Sequence, residues 1–197
     1  MTAAPMSSTL ATVASRVMAL GSGVKVGIDG VDGSGKTHFA AALAERIASR
    51  PVVVVHADDF LNPAVIRHAR GRDSPEGFWL DTYDYSALRS TIRVSRATTP
   101  ADAVVVVEGM FLHGDELVDH WDLSVFLDVP FAETARRMAA RDGSLPDPDD
   151  PTMRRYVGGQ RLYFDAVRPW ERATFVVDNT DCDAPRIIEP SSVSALR

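Results

Sequence analysis

The feature that most constrains this chain is the octapeptide GVDGSGKT at residues 30–37, which follows an apolar segment at 24–29. Its glycines let the backbone curl until several N–H groups converge on one anion, which larger side chains would obstruct. A strand before such a loop and a helix after it are the context in which it binds phosphate groups. The segment therefore predicts a phosphate-binding loop at the end of a strand.

Individual residues of this loop have separate expected tasks. Lys36 can reach the β- and γ-phosphates of ATP, and the hydroxyl of Thr37 can hold Mg²⁺. The helix that begins here adds the positive end of its dipole. We therefore expect ATP and Mg²⁺ as cofactors. The residues expected to bind the nucleotide here are Gly30, Asp32, Gly33, Ser34, Gly35, Lys36, Thr37 and His38.

Apolar, β-branched segments recur along the chain and indicate the fold class. Such continuously apolar segments are typical of parallel strands covered on both faces. Here they alternate with helical segments, which predicts an open parallel α/β sheet flanked by helices, with right-handed crossovers. The predicted strands are 24–29, 52–56, 103–108, 123–129 and 174–178, and the predicted helices include 83–95, 130–141 and 152–168. An amphipathic helix is also expected from residue 10 to Gly21, after a loose end at 1–6.

Length and composition limit the class of protein. A chain of 197 residues with 45% hydrophobic residues predicts one domain over 1–197, with an N-terminal helix within 1–22. A net charge of −6 argues against a nucleic-acid-binding surface. The single cysteine, Cys182, rules out an internal disulfide and fits a reducing cytosol. No apolar segment reaches membrane-spanning length. We expect a cytoplasmic protein that binds a small molecule, and the oligomeric state stays open.

Acidic residues follow the second predicted strand, at the edge of the sheet where ligands bind in open α/β folds. A carboxylate of Asp58 or Asp59 would face the γ-phosphate and could accept a proton from an attacking hydroxyl. The alternative is that these residues cap a helix beginning near Asn62. His56 and Asp58 also suggest a metal site, but no further His or Cys ligand lies at a suitable spacing, so zinc is not expected.

Glu108 ends the third predicted strand. An acidic residue closing an apolar strand is the second half of the Mg²⁺ site in P-loop enzymes, where it usually acts through water. Because the phosphate-binding loop is also present, we expect Glu108 to complete a Mg²⁺ site with Thr37.

Six arginines flank a segment rich in Asp and Pro at 142–151. Arginine can neutralise charge on a transferring phosphoryl group, and a mobile loop can exclude water. The alternative for most of the six is a solvated position on a helix surface. They are Arg136, Arg137, Arg141, Arg154, Arg155 and Arg161. We expect two or three to contact phosphate, with Arg137 and Arg141 first, and a lid at about 137–155.

Acids, aromatics and arginine are mixed in a predicted loop at 71–79 and 81–85. Aromatic faces stack on bases and carboxylates hold ribose hydroxyls, which would make this loop part of an acceptor pocket. A surface loop folded over a few aromatic side chains is the equal alternative.

In these motifs the chain resembles the uridine kinase-like group of P-loop nucleoside kinases. The similar segments are GIDGVDGSGKT at 27–37, DDF at 58–60, YDY at 83–85, EGMFL at 108–112, WDLSVFLDV at 121–129, RRYVGGQR with Tyr163 at 154–163, and VDNTD at 177–181. They cover most of the chain after residue 22. The resemblance implies a five-stranded parallel sheet of order 2-3-1-4-5 and transfer of the γ-phosphoryl group of ATP to a nucleoside hydroxyl.

The resemblance also implies roles for particular residues. Asp58 would be the base for the 5′-hydroxyl, Asp84 would lie near the ribose, and residues 178–181 would lie beside the adenine. The expected catalytic residues are then Asp58, Lys36, Arg137 and Arg141, and the expected nucleotide site gains Arg137, Asp178 and Thr180. The expected acceptor-binding residues are Asp58, Phe60, Asp84, Tyr85, Glu108, Arg155 and Gln160, and the expected metal ligands are Thr37, Glu108 and Asp58.

The chain departs from the family pattern on the acceptor side. Only about a dozen residues, 91–102, lie before the third predicted strand, and no His-Pro-Asp signature follows Tyr85. A uridine- or cytidine-like nucleoside is the first expected acceptor. Pantothenate, a sugar or a nucleoside monophosphate is the alternative, and the last would need basic residues such as Arg67, Arg70 and Arg72. A nucleotide-binding regulatory protein without transferase activity is the alternative from another class.

Overall fold

The computed structural model describes residues 6–47 and 49–196, so most of the loose end expected at 1–6 lies outside the described residues. Its strands are β1 (Lys25–Gly30), β2 (Val52–His56), β3 (Val104–Gly109), β4 (Leu123–Asp128), β5 (Phe175–Asp178) and β6 (Arg186–Ile188). They form one sheet of order β2-β3-β1-β4-β5-β6. The first five pair in parallel, and β6 pairs antiparallel with β5.

The predicted α/β class and the order of the five parallel strands are confirmed. The sixth strand is an addition that the sequence did not predict. It is three residues long, and its Arg186 and Ile187 are exposed at the edge of the sheet. A segment this short carries no measurable hydrophobic period, so only its pairing with β5 makes it a strand.

Eight α-helices are assigned within the described residues. They are α1 (Met6–Ala19), α2 (Lys36–Arg46), α3 (Ala64–Arg67), α4 (Pro75–Leu80), α5 (Tyr85–Thr98), α6 (Phe131–Asp142), α7 (Arg154–Val167) and α8 (Pro169–Arg172). The long helices begin and end within a few residues of their predicted bounds. Every helix described falls short of the length or the apolarity that crossing a bilayer requires.

Helix α4 corrects the prediction of a loop at 71–79. Ser74 accepts a hydrogen bond from the N–H of Gly77 at 3.0 Å, and Pro75 occupies the first turn, which are two signals that start a helix. The helix is too short to show a periodicity in the sequence, and it packs against α7. Phe78 is buried in this contact, with its ring 5.5 Å from that of Phe111. This aromatic side chain therefore belongs to the core.

The two faces of the sheet are covered by different helices. Alternate valines of β3 point to opposite sides: Val104 and Val106 pack with α1 and α2, whereas Val105 and Val107 pack with α4, α5, α7 and α8. Because both faces are covered, β3 and β4 are buried at every position. The carboxyl ends of β1, β2 and β3 are then the edge at which polar residues can meet.

Candidate active site

The phosphate-binding loop lies between the end of β1 and the start of α2. Gly33 and Gly35 have φ values of 75° and 88°, a left-handed conformation that favours glycine. A Cβ atom at Gly35 would lie 2.9 Å from Nδ2 of Asn179. The same loop brings the ammonium group of Lys36 to the carbonyl oxygen of Val31 at 2.9 Å. The backbone of the loop thus curls at these two glycines, as the sequence predicted.

A cavity of about 340 Å³ opens beside this loop. Its lining unites most of the residues expected to act on phosphate: Asp32, Gly33, Gly35, Lys36, Thr37, His38, Asp58, Glu108, Arg137, Met138 and Arg141. The other expected residues lie outside this lining, among them Asp178 and Thr180 on the nucleotide side and Phe60, Asp84, Tyr85, Arg155 and Gln160 on the acceptor side.

Thr37 and Glu108 are in direct contact in this cavity. The Thr37 hydroxyl donates to Oε1 of Glu108 at 2.9 Å, and the Glu108 side chain is only 8% exposed. Hydroxyl and carboxylate oxygens are the kind of donor that Mg²⁺ prefers. The described residues contain no group of three or more His, Cys, Asp or Glu side chains that could hold a metal. A cation held by this pair would therefore take most of its other ligands from phosphate oxygens and water, as Mg²⁺ commonly does.

Asp58 lies in a short 3-10 turn, Ala57–Phe60, that follows β2. Its Oδ1 accepts a hydrogen bond at 2.7 Å from the hydroxyl of Tyr83, which is buried. Burial and the nearby Asp58 charge raise the pKa of Tyr83 well above its usual value, so Tyr83 stays a neutral donor. Asp58 and Asp59 do not cap a helix, which was the alternative role. The residue before α3 is Pro63, and no side chain caps the start of that helix.

A buried network beneath the phosphate-binding loop was not predicted from the sequence. Oδ1 of Asp29 accepts from the N–H of Gly30 at 2.7 Å. Oδ2 accepts from the backbone N–H and Nδ1 of His113 at 3.0 and 2.9 Å, and from the Tyr163 hydroxyl at 2.5 Å. Burial raises the pKa of Asp29, but these hydrogen bonds and the His113 charge outweigh it and hold the pKa below its usual value. The network ties β1 to α7 and to the segment after β3.

Arg137 and Arg141 occupy different environments on α6. Arg137 is only 18% exposed and donates to the carbonyl oxygens of Gly33, Asn179 and Thr180 at 3.2, 2.9 and 2.9 Å. Arg141 is 62% exposed, and its nearest carboxylate on the loop is that of Asp32 at 3.7 Å. Arg137 therefore braces the loop, whereas Arg141 extends over the cavity.

The segment after β5 is joined to the phosphate-binding loop through Asn179, which lies in the expected segment 178–181 but was not among the individual residues expected to bind the nucleotide. Its buried amide donates to the carbonyl oxygen of Ser34 at 2.7 Å. Asp178 accepts from the N–H of Thr180 at 3.0 Å and from Arg186 at 2.7 Å. Burial raises the pKa of Asp178, but these hydrogen bonds and the Arg186 charge outweigh it and lower the pKa.

The residues expected on the acceptor side have structural contacts of their own. The Asp84 carboxylate caps α5 by accepting from the N–H of Ala87 at 2.8 Å. Phe60 packs against the core and is partly buried. Tyr85 is held neutral, because burial and the charges of Asp29 and Glu116 raise its pKa. Gln160 is buried.

Arg155 is buried and fastens the segment before α4. Its guanidinium donates to the carbonyl oxygens of Arg67 and Arg72 at 2.9 and 3.0 Å, and it lies 5.8 Å from the centre of the Phe78 ring. Arg67 itself donates to the carbonyl oxygen of Asn62 at 2.8 Å. These contacts could not be predicted from the sequence, since more than 80 residues separate the partners.

A closed phosphate-binding loop, a hydroxyl–carboxylate pair and an aspartate that share one cavity define a P-loop phosphotransferase site. Comparison with known proteins narrows this class. No family model matches the chain. It is 32% identical over 143 residues to nicotinamide riboside kinase 2 of Mus musculus, a match that covers 62% of this chain and 70% of that protein. Nicotinamide riboside kinase 2 of Homo sapiens is 30% identical over 143 residues, covering 62% and 60%.

Among solved structures, a possible uridine kinase from Bacillus stearothermophilus superposes with a TM-score of 0.66 and 21% identity, covering 85% of this chain and 96% of that one. At this identity the likeness supports the fold. The chain belongs to the nicotinamide riboside kinase family of uridine kinase-like P-loop kinases. It is therefore an ATP-dependent nucleoside kinase, and the similarity that the motifs indicated is confirmed.

Proposed function

We propose that this chain transfers the γ-phosphoryl group of ATP to the 5′-hydroxyl of nicotinamide riboside or a nucleoside of closely similar shape. The observation that carries the proposal is that Lys36, Thr37, Asp58 and Glu108 line one cavity at the carboxyl ends of β1, β2 and β3. The names of the relatives support nicotinamide riboside as the first acceptor to test, ahead of uridine and cytidine.

The phosphates of ATP would bind the backbone N–H groups of the loop and the start of α2. Lys36 would leave the Val31 carbonyl oxygen and contact the β- and γ-phosphates. The hydrogen bond to this carbonyl oxygen already holds the ammonium group at the loop. Binding the phosphates would therefore need only a short movement of the Lys36 side chain. Asp178 and Thr180 would lie beside the adenine.

Thr37 and Glu108 would hold Mg²⁺, with Asp58 as a further expected ligand. The Thr37 hydroxyl gives its hydrogen to Glu108, so its oxygen lone pairs are left for the cation. When bound, Mg²⁺ neutralises charge that develops on the phosphate oxygens.

Asp58 would accept the proton of the attacking hydroxyl. The hydroxyl oxygen forms a bond to the γ-phosphorus, the bond from that phosphorus to the ADP oxygen breaks, and the proton passes to the carboxylate. Tyr83 binds Oδ1 of Asp58, so we assign Oδ2 to the proton transfer. The neutral Tyr83 hydroxyl fixes the orientation of the carboxylate and stabilises its charged form.

Arginines and the remaining acceptor residues would complete the site when the segment at about 137–155 closes as a lid over this single domain. Arg141 is the arginine we assign to the transferring phosphoryl group, because it is exposed over the cavity. Arg137 would hold the loop in place for it. Phe60, Asp84, Tyr85, Arg155 and Gln160 are the residues proposed to bind or shape the acceptor. A cytoplasmic location is proposed from the sequence.

The proposal is tested by ADP release in the presence of single acceptors. Nicotinamide riboside, uridine, cytidine, pantothenate, a hexose and a nucleoside monophosphate are compared with a sample that contains no acceptor. We expect the highest kcat/KM with nicotinamide riboside and a product phosphorylated on the 5′-oxygen, identified by ³¹P NMR. Turnover with uridine but not with nicotinamide riboside would contradict the assigned acceptor. Turnover with none of the nucleosides would contradict the proposed reaction.

A nucleoside monophosphate is a weaker candidate acceptor. Two of the three basic residues that could bind its phosphate have other partners, because Arg67 donates to Asn62 and Arg70 donates to Asp81 at 2.8 Å. The same assay separates this candidate, since only a monophosphate acceptor would itself be converted to a diphosphate, in addition to the ADP that every turnover releases.

A further inference from the structure

His56 ends strand β2 directly beside Glu108. The two residues are partners in the parallel register of β2 and β3, so their side chains leave neighbouring strands at the same level. Nδ1 of His56 lies 2.7 Å from Oε1 of Glu108. An ionised carboxylate can only accept hydrogen bonds, so the imidazole donates through Nδ1–H.

Two donors converge on one oxygen of Glu108. His56 and the Thr37 hydroxyl both bind Oε1, at 2.7 and 2.9 Å. Within residues 6–47 and 49–196, Oε2 of Glu108 receives no hydrogen bond. The donors therefore divide the carboxylate into a fixed oxygen and an oxygen left for a ligand.

The Glu108 side chain is buried, whereas the His56 side chain that binds it is partly exposed. The Glu108 side chain is 8% exposed, whereas that of His56 is 44% exposed. The terminal torsion of a glutamate has a broad energy minimum, so one hydrogen bond leaves the carboxylate plane poorly fixed. A second donor on the same oxygen, fixed to the next strand, restricts that rotation.

We propose that His56 is a positioning residue for the cation site formed by Thr37 and Glu108. It acts through Glu108 and touches neither the cation nor the nucleotide. The inference rests on the proposed function, because it requires that Glu108 helps to hold Mg²⁺. Hydrogen-bond partners of metal ligands generally orient the ligand, and their loss lowers metal affinity.

Two substitutions separate the hydrogen bond from the bulk of the ring. His56→Phe keeps an aromatic ring and removes the donor. His56→Asn places an amide nitrogen as many bonds from Cα as Nδ1 is, so it can restore the donor. A matched control is His120→Phe, because His120 lies in the 3-10 turn before β4, at the amino end of that strand and away from the carboxyl ends that form the site.

The readout is binding of Mn²⁺, a paramagnetic substitute for Mg²⁺, titrated by EPR into the full chain with saturating ADP. No phosphoryl transfer is involved, so the measurement does not depend on the identity of the acceptor. We expect His56→Phe to raise the dissociation constant of Mn²⁺ about tenfold, and His56→Asn to stay within about threefold of the wild type. His120→Phe should leave the constant unchanged.

A double-mutant cycle sharpens the test. In a Glu108→Gln background, His56→Phe should cause no further loss of Mn²⁺ affinity, since the residue through which His56 acts is already impaired. Metal-free ADP binding and thermal unfolding show whether each variant is folded. If His56→Phe does not fold, His56→Leu replaces it, because leucine also has no hydrogen-bond donor.

The outcomes are distinguishable. Wild-type affinity in His56→Phe would overturn the inference, and so would a loss in His56→Asn equal to that in His56→Phe, because the donor would then not be what matters. If the wild type itself binds no Mn²⁺ together with ADP, the proposed cation site fails and the inference fails with it.

Discussion

The phosphate side of the cavity and the side of the proposed lid are built differently. On the phosphate side, the side chains of Asp29 and Glu108 are 2% and 8% exposed and accept hydrogen bonds from side chains on other elements. On the lid side, Arg141 and Arg161 are 62% and 53% exposed and pair with Asp142 and Asp149, which are also exposed. The phosphate side is thus held together by buried contacts within the protein, whereas the proposed lid would become ordered during the reaction.

The difference has an energetic consequence. Exposed ion pairs of the lid kind contribute about 0–1 kcal/mol each, because water and salt screen them. Removing one partner from a buried charged network costs about 3–5 kcal/mol, because the remaining groups stay unpaired away from water. Substitutions on the phosphate side should therefore change chemistry or stability strongly, and substitutions on the lid side should change turnover moderately and stability little.

The largest expected effect is that of Asp58→Asn. The amide cannot accept the proton of the attacking hydroxyl, so we expect kcat to fall about 10³-fold, within the usual contribution of a general base. ATP affinity should stay within about twofold, because Asp58 is not part of the phosphate-binding loop and the carbonyl oxygen of Asn can still bind the cation. Steady-state kinetics and calorimetric titration of a non-hydrolysable ATP analogue measure the two quantities.

Asp59→Asn is the matched control for this variant. Asp59 is exposed in the same 3-10 turn, so its substitution tests the local change of charge without removing the proposed base. Equal losses of kcat in the two variants would show that Asp58 has no special role.

The next effect is on stability. Asp29→Asn would direct an amide NH₂ group toward the donors of His113 and Tyr163, so we expect the free energy of unfolding to fall by about 3 kcal/mol. The exposed Asp122 pairs with Lys25 at 2.9 Å, and Asp122→Asn should cost less than about 1 kcal/mol. Urea unfolding at pH 7 compares them. Similar losses would remove the distinction between the buried and the exposed side.

The comparison of the wild type with Asp29→Asn also predicts how the free energy of unfolding depends on pH. The pKa of Asp29 is below its ordinary value of 3.8 in the folded chain, because burial, which raises the pKa, is outweighed by the His113 charge and by hydrogen bonds from His113 and Tyr163. Its contribution to stability is therefore complete above pH 3.8 and is lost as the pH falls through the lower folded pKa. The stability of the wild type should fall more steeply below that pH than the stability of Asp29→Asn, as followed by urea unfolding between pH 5 and pH 2.

The smallest expected effect is on the lid. Arg141→Gln removes a charge over the cavity without breaking a buried contact, so we expect kcat to fall about tenfold, near 1.4 kcal/mol, with the melting temperature unchanged. Arg93→Gln on the outer face of α5 is the control for loss of an exposed charge. A drop in thermal stability together with activity would show that Arg141 belongs to the framework instead.

Much of the fold was predictable because its signals are local. The valines of β2 and β3 form continuous apolar segments, and these segments locate strands within one or two residues. The short elements α4 and β6 were not predictable in this way. Each is defined by contact with a distant element, α7 for the helix and β5 for the strand, and neither is long enough to show a period.

The residues of the site also fall into a group that could be predicted from the sequence and a group that could not. The loop at 30–37 and the acidic residues at strand ends were visible, because the ends of parallel strands meet at one edge of a sheet. Asn179 and Tyr83 were not chosen, although both bind the groups that were chosen: Asn179 holds the loop and Tyr83 holds Asp58. Nothing in a polar side chain's sequence neighbourhood shows which distant carboxylate or carbonyl group it will meet.

By itself the sequence determined the phosphate-binding loop, because backbone curvature there depends on which positions are glycine. It also determined the parallel sheet, because continuously apolar strands must be covered on both faces. Only the tertiary structure decided the partners of the loop. Asp29 meets His113 across 84 positions and Tyr163 across 134, and His56 meets Glu108 across 52. Such contacts depend on strand order and register, which are set by packing of the whole chain.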